Sequence, residues 1–126
     1  GGENQRMALW DGILIKENHI AAAGSIRAAL DAAEKLNAGV SIQIENLAEL
    51  DEAIKAGAKN ILIDNFSIEK MHKAVAINQG RAQLEASGGI GIELMRAIAA
   101  SGVDRISLGK LTKDVQAVDF TMRILA

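Results

Sequence analysis

Lys59-Asn60-Ile61-Leu62-Ile63-Asp64-Asn65 is the stretch on which the fold turns: three unbroken apolar residues lead from a polar approach into a carboxylate. A run with no polar alternation suits a strand buried on both faces, and such strands belong to parallel sheets covered by helices. Outward from it, further apolar runs are centred near Ile13, Ile42, Gln83 and Ile106. They recur roughly every 20 to 30 residues, the length of a strand, a turn and a helix of about three turns. The units share no residue-level repeat, so the period is architectural.

The segments between the runs have helical period. Ser25 to Leu36 places Ile26, Ala29, Leu30, Ala33 and Leu36 on one face, with Ser25 as N-cap. Leu47 to Ala56 follows Asn46, another N-cap, and carries Glu49, Asp51 and Glu52 early and Lys55 late, which complements the helix dipole. Ser67 opens a third helix toward Asn78, and Ile92 to Ala100 forms a fourth. The last apolar segment, Val115 to Leu125, reads as amphipathic, a helix or an edge element. Alternating strands and helices predict an α/β fold with a parallel sheet, either a barrel or an open sheet. A doubly wound nucleotide fold would carry G-x-G-x-x-G in its first turn, and the chain contains none.

Composition narrows the chemistry. The 126 residues hold 14 Lys plus Arg against 16 Asp plus Glu, are 49% hydrophobic, and include no Cys, Pro or Tyr. That is one domain's worth of chain, able to bury a core. Without Cys there is no disulfide, thiol nucleophile or Cys-ligated metal. A net charge of -2 excludes nucleic-acid binding through a global positive field but leaves local phosphate pockets open. No apolar run approaches the roughly 18 to 20 residues that cross a bilayer. The opening Gly-Gly-Glu-Asn-Gln-Arg reads as neither signal peptide nor anchor, so the expected compartment is cytoplasm and no membrane partner is expected. The missing initiator Met and the absence of Pro suggest a piece of something longer.

Each run ends in a reactive or flexible group: Ile15 is followed by Lys16, Ile44 by Glu45, Ile63 by Asp64, Leu84 by Glu85, and Leu108 by Gly109-Lys110. One such residue would mark an ordinary solvated strand boundary. Five together predict a shared rim, because a parallel barrel brings all carboxyl strand ends to one face. Carboxylates opposed by lysine can hold a divalent metal or a developing cation on one side and an anion on the other. Backbone N–H groups in Ser87-Gly88-Gly89 and Leu108-Gly109 would suit a phosphate. His19 reads as a loop-orienting residue, His72 as surface, and Trp10 as a packing residue. Two His without H-x-x-x-H spacing do not make a zinc site.

The wording of these strand ends resembles one family. Leu14-Ile15-Lys16-Glu17-Asn18-His19 resembles the L-I-K-E/D-N-H signature of quinolinate phosphoribosyltransferases. In family order come Glu45-Asn46-Leu47, Leu62-Ile63-Asp64-Asn65-Phe66, Leu84-Glu85-Ala86-Ser87-Gly88-Gly89-Ile90 and Gly102-Val103-Asp104-Arg105-Ile106-Ser107-Leu108-Gly109. Leu111-Thr112-Lys113 with Val115-Gln116-Ala117-Val118-Asp119 follows as a last block. The resemblance implies decarboxylating transfer of phosphoribose from phosphoribosyl pyrophosphate to quinolinate, giving nicotinate mononucleotide, pyrophosphate and CO2 in NAD biosynthesis, with Mg2+ required. It implies Arg6 and Lys16 on the anionic substrate, and Lys16 on the donor as well. Asp64 and a second-strand carboxylate would hold Mg2+-pyrophosphate and stabilise the oxocarbenium-like ribose, while Ser87, Gly88, Gly89, Gly109 and Lys113 would surround the 5′-phosphate. It further implies a homo-oligomer, a dimer with shared sites and an arginine from the partner subunit.

Three departures stand beside it. Gln5-Arg6-Met7-Ala8-Leu9 replaces the family's His-Arg-x-Gly-Leu, so Gln5 stands where a substrate-contacting His is usual. The second strand, Ser41-Ile42-Gln43-Ile44-Glu45-Asn46-Leu47, replaces E-V-E-V-E-N-L, so the catalytic Glu falls on Gln43 or Glu45. Glu45 keeps a carboxylate at the strand end and is the favoured position, although Gln43 shares its strand face. Finally, the family's N-terminal α/β sandwich and first barrel strands do not appear within residues 1–126. The expected architecture is therefore five βα units of an incomplete, TIM-like open-faced barrel, inactive when alone. A non-catalytic phosphate-binding half-barrel and a related nicotinate phosphoribosyltransferase are the competing readings.

Overall fold

A computed structural model describes residues 2–125. Five strands form a single sheet: β1 (Gly12–Ile15), β2 (Gly39–Ile44), β3 (Asn60–Asp64), β4 (Gln83–Ser87) and β5 (Arg105–Ile106). Every neighbouring pair is parallel and the spatial order is the chain order, β1 to β5. Between them lie α1 (Glu17–Ala23), α2 (Ile26–Glu34), α3 (Leu47–Lys55), α4 (Ile68–Asn78) and α5 (Met95–Ala100), with α6 (Lys110–Lys113) after β5. Sequential order with parallel crossovers is barrel winding, and here the sheet stays open, as the expected incomplete barrel requires.

Alternation along the strands assigns the two faces. Ile42, Ile44, Ile61, Ile63, Leu84 and Ala86 point to one face, where they meet Ile26, Leu30, Leu50, Ala53, Met71 and Ala74 from the helices. Each large side chain fully buried there stabilises by roughly 1.5 to 3 kcal/mol. The other face carries Ser41, Gln43, Asn60, Leu62, Asp64, Glu85 and Ser87. Leu62 is 4% exposed but stands outside the helix-facing core cluster. The unbroken Ile61-Leu62-Ile63 run is thus explained: both faces are covered at mid-strand, and polarity begins one residue later.

The helices start as their caps dictate. Ser25 Oγ accepts from Ala28 N at 3.1 Å, Asn46 Oδ1 from Glu49 N at 2.9 Å, and Ser67 Oγ from Lys70 N at 3.3 Å. Asn78 is buried at the end of α4, donating to Ala82 O at 2.7 Å and accepting from Ala82 N at 3.0 Å, which fixes the entry into β4. Asp104 does the same for β5, accepting from Leu84 N at 2.8 Å.

Several expectations are corrected. Residues 115–125 form neither helix nor strand, and Val118, Phe120, Met122 and Ile124 are exposed. Their spacing is the two-residue period of a strand, but no sheet edge pairs with them among the described residues. Trp10 is 86% exposed and packs in no core. Leu36 lies beyond the end of α2 and is exposed, since the helix stops two residues earlier than its period suggested. Ile92–Leu94 is a 3-10 turn, and α5 proper starts only at Met95. Among the described residues no helix is long and apolar enough to cross a membrane.

Candidate active site

The rim forms where β1 to β4 run out. Lys16 follows Ile15 immediately, Glu45 follows Ile44, and Asp64 and Ser87 are the last residues of β3 and β4. Asp64 and Ser87 are register partners, so the predicted carboxylate and the predicted phosphate turn stand side by side. Glu85 does not end its strand, contrary to the reading of its apolar run. It sits two residues deeper on the same face, where Ser107 Oγ donates to Glu85 Oε1.

Asp64 is held by two amides. Gln43 Nε2 donates to Asp64 Oδ2 at 3.3 Å from β2, and Asn65 Nδ2 donates to the same oxygen at 2.9 Å. Among the described residues no hydrogen bond reaches Oδ1. Asn65 itself takes the left-handed conformation, φ 53°, and its N–H donates to Ser87 O at 3.0 Å. Gly88 has φ +102°, and a Cβ there would fall 2.2 Å from Asn65 Oδ1, so only glycine fits. Neither contact was readable in the sequence; an Asn, which tolerates the left-handed region, directly after a strand-ending Asp was the one available signal.

Lys16 is exposed. Its N–H donates to His19 Nδ1 at 3.0 Å, so His19 orients the start of α1, as expected. Glu45 is exposed too; its N–H donates to Glu49 Oε2 at 2.8 Å, while Glu49 Oε1 accepts from Asn46 Nδ2. Gln43 and Glu45 both line a cavity of about 390 Å³ bounded by Glu17, Ile20, Glu49 and Glu52. Ser87 and Gly88 border a smaller, mostly apolar hollow of about 170 Å³ with Phe66 and Met71. The Ser87-Gly88-Gly89 turn does not enter a helix directly, since Ile90 and Gly91 intervene before the 3-10 turn. Gly109 opens α6, and Lys113 N donates to its carbonyl at 3.1 Å. Arg6 is exposed on the segment before β1, and no hydrogen bond or ion pair among the described residues ties it or the Lys113 side chain to the rim. His72 is exposed on α4.

No group of three or more His, Cys, Asp or Glu converges among the described residues. Asp64 Oδ1, without a hydrogen bond among the described residues, and the exposed Glu45 carboxylate are the rim oxygens that would be available to a cation arriving with its own waters and phosphate oxygens.

A parallel sheet with helices against one face, carboxylates and a glycine turn at its carboxyl ends, and an open border on either side defines a partial β/α barrel. The family described as quinolinate phosphoribosyl transferase, C-terminal domain, matches residues 1–123, and the chain belongs to that family. It is 40% identical over 127 residues to a probable nicotinate-nucleotide pyrophosphorylase (carboxylating) of Bacillus subtilis, covering 98% of this chain and 44% of that protein. It is 34% identical over 145 residues to a quinolinate phosphoribosyltransferase (decarboxylating) of Nicotiana tabacum, covering 98% and 41%. The solved nicotinate-nucleotide pyrophosphorylase of Francisella tularensis superimposes with a TM-score of 0.89 at 47% identity, over 94% of this chain and 43% of that one. The chain thus spans less than half the length of these relatives.

Proposed function

We propose that this chain supplies one wall of the active site for decarboxylating transfer of phosphoribose from phosphoribosyl pyrophosphate to quinolinate. In that reaction the pyridine nitrogen bonds to C1 of the ribose as pyrophosphate leaves, and the 2-carboxylate departs as CO2 with a proton taking its place. The observation that carries the reading is the register of Asp64 beside Ser87, with the Ser87-Gly88-Gly89 turn beyond, in a chain of this family.

Each rim group has a role that its position supports. Lys16, exposed at the end of β1, supplies a full charge to the quinolinate and donor anions, with Arg6 as the second cation. Asp64 and Glu45 would hold Mg2+ together with pyrophosphate, the metal screening the charge of the leaving group. Their carboxylates also face the positive charge that develops on the ribose. Gln43 is the competing position for Glu45, on the same strand face. The N–H groups of Gly88 and Gly89, with Ser87, Gly109 and Lys113, would surround the 5′-phosphate.

A homodimer belongs to the same reading. The rim offers few cations against quinolinate and a polyanionic donor, so further arginines, one of them from a partner subunit, complete the neutralisation. The exposed Met7, Leu9 and Trp10 around Arg6 support a covered segment in the assembly. The compartment is read as cytoplasm, and the 126 residues alone are expected not to turn over.

The test is nicotinate mononucleotide and CO2 formation by the intact protein with Mg2+ and both substrates. Formation abolished by Asp64→Asn supports the reading. Product from nicotinate in place of quinolinate, without CO2, would replace it by the nicotinate enzyme, and phosphate binding with no product would replace it by a non-catalytic half-barrel.

A further inference from the structure

We propose that Asn65 is a positioning residue that locks the Asp64 carboxylate and the Ser87-Gly88 turn into one unit, so that Asp64 presents Oδ1 at a fixed place beside the N–H groups of the turn. The inference deepens the reading above and rests on it, because the presented groups are those assigned to Mg2+-pyrophosphate and phosphate.

Asn65 makes a tie in each direction. Its Nδ2 donates to Asp64 Oδ2 at 2.9 Å, the oxygen that also accepts from Gln43, which sets the carboxylate's rotation and leaves Oδ1 without a hydrogen bond among the described residues. Its N–H donates to Ser87 O at 3.0 Å, joining the β3 end to the β4 end one residue past the last register pair. Its Oδ1 lies where a side chain of residue 88 would stand, so turn and side chain are in direct contact. A displacement of the turn must therefore move the donor on Asp64.

Residue choice follows from two demands. A φ of 53° restricts the position to residues such as Gly, Asn and Asp. Of these three only Asn brings a neutral donor; Gly brings nothing and Asp would set a second carboxylate against the first. The position is exposed rather than buried, so packing does not explain the choice.

The test compares wild type, Asn65→Asp and Asn65→Gly in the intact protein by calorimetric titration with pyrophosphate in the presence of Mg2+, alongside thermal unfolding. Asn65→Gly keeps the left-handed backbone and the N–H tie and removes the donor without adding charge, whereas Asn65→Asp keeps the shape but replaces the donor by a second carboxylate. We expect Asn65→Gly to melt close to wild type and Asn65→Asp below it, with both binding Mg2+-pyrophosphate about tenfold or more weakly, the scale of one charge-assisted hydrogen bond. Wild-type affinity in Asn65→Gly would overturn the positioning role alone. Failure of Asn65→Gly to fold would mark the residue as a structural wedge and overturn it also. Absence of Mg2+-pyrophosphate binding in wild type would overturn the proposed function and this role with it.

Discussion

Gln43 Nε2 stands 3.3 Å from Asp64 Oδ2, across the ladder joining β2 to β3 on the polar face of the sheet. An amide at this place gives the Asp64 carboxylate a neutral donor from β2. Replacing Gln43 by Glu puts two carboxylates at hydrogen-bond distance, where repulsion is worth a few kcal/mol or less at a half-exposed site. Gln43→Glu is expected to lower the melting temperature at neutral pH and to recover it on adding Mg2+. Glu45→Gln is expected to leave the melting temperature unchanged and to weaken Mg2+-pyrophosphate binding. The opposite pattern in thermal scans and calorimetry would transfer the metal role from Glu45 to position 43.

Lys16 and His19 separate in the same way. His19 accepts the Lys16 N–H and caps α1, so His19→Ala should cost about 0.5 to 2 kcal/mol of stability. Lys16→Ala leaves the backbone N–H in place and should hold stability within about 0.5 kcal/mol, while lowering kcat/KM by more than His19→Ala does. Urea unfolding with kinetics of the intact protein checks both halves; equal kinetic losses would return Lys16 to a solvated face.

Gly88→Ala meets two obstacles at once, a φ of +102° and the side chain of Asn65. A loss of about 1 to 3 kcal/mol is expected from backbone strain, with further loss from displacing Asn65. Gly89→Ala, with φ +59° and open space around the added carbon, should cost less. Denaturant midpoints of the two variants give the comparison.

Glu69, in the first turn of α4, has its carboxyl held below the ordinary carboxylate range, first by its own backbone N–H, then by the Ser67 hydroxyl, with His72 and Lys73 adding to the effect. A lowered folded value favours the native state above the unfolded-chain value and loses that contribution as pH falls through the folded one. Glu69→Gln should therefore melt below wild type at neutral pH, and the two curves should converge on acidification. Its full exposure keeps the difference small.

Much of this architecture was legible because its signals are one-dimensional. Ile61-Leu62-Ile63 announced a strand covered on both sides, and Ser25, Asn46 and Ser67 announced three helix starts, each confirmed by a hydrogen bond to the third residue on. The nearness of Asp64 to Ser87 followed from strand ends sharing a rim. What escaped reading depends on register or on partners. Glu17–Ala23 looked like loop because Glu-Asn-His breaks any apolar period, yet a backbone cap by His19 starts a helix there. The Gln43 contact to Asp64 needs the β2–β3 register, which no local pattern supplies. Trp10 and the 115–125 segment have apolar composition, and composition alone does not say what surface will cover it.

The chain-ordered sheet also governs how the molecule comes into being. Gly12 pairs with Gly39 and Glu85 with Arg105, and among the described residues every rung joins residues only roughly twenty to thirty positions apart. Loop closure is thus nearly uniform along the described sheet, and each of β2 to β5 pairs with the strand that immediately precedes it in the chain. Growth of the native state by annexation from β1 toward β5 would leave the two-residue β5 as the last and weakest rung, the place where thermal opening begins.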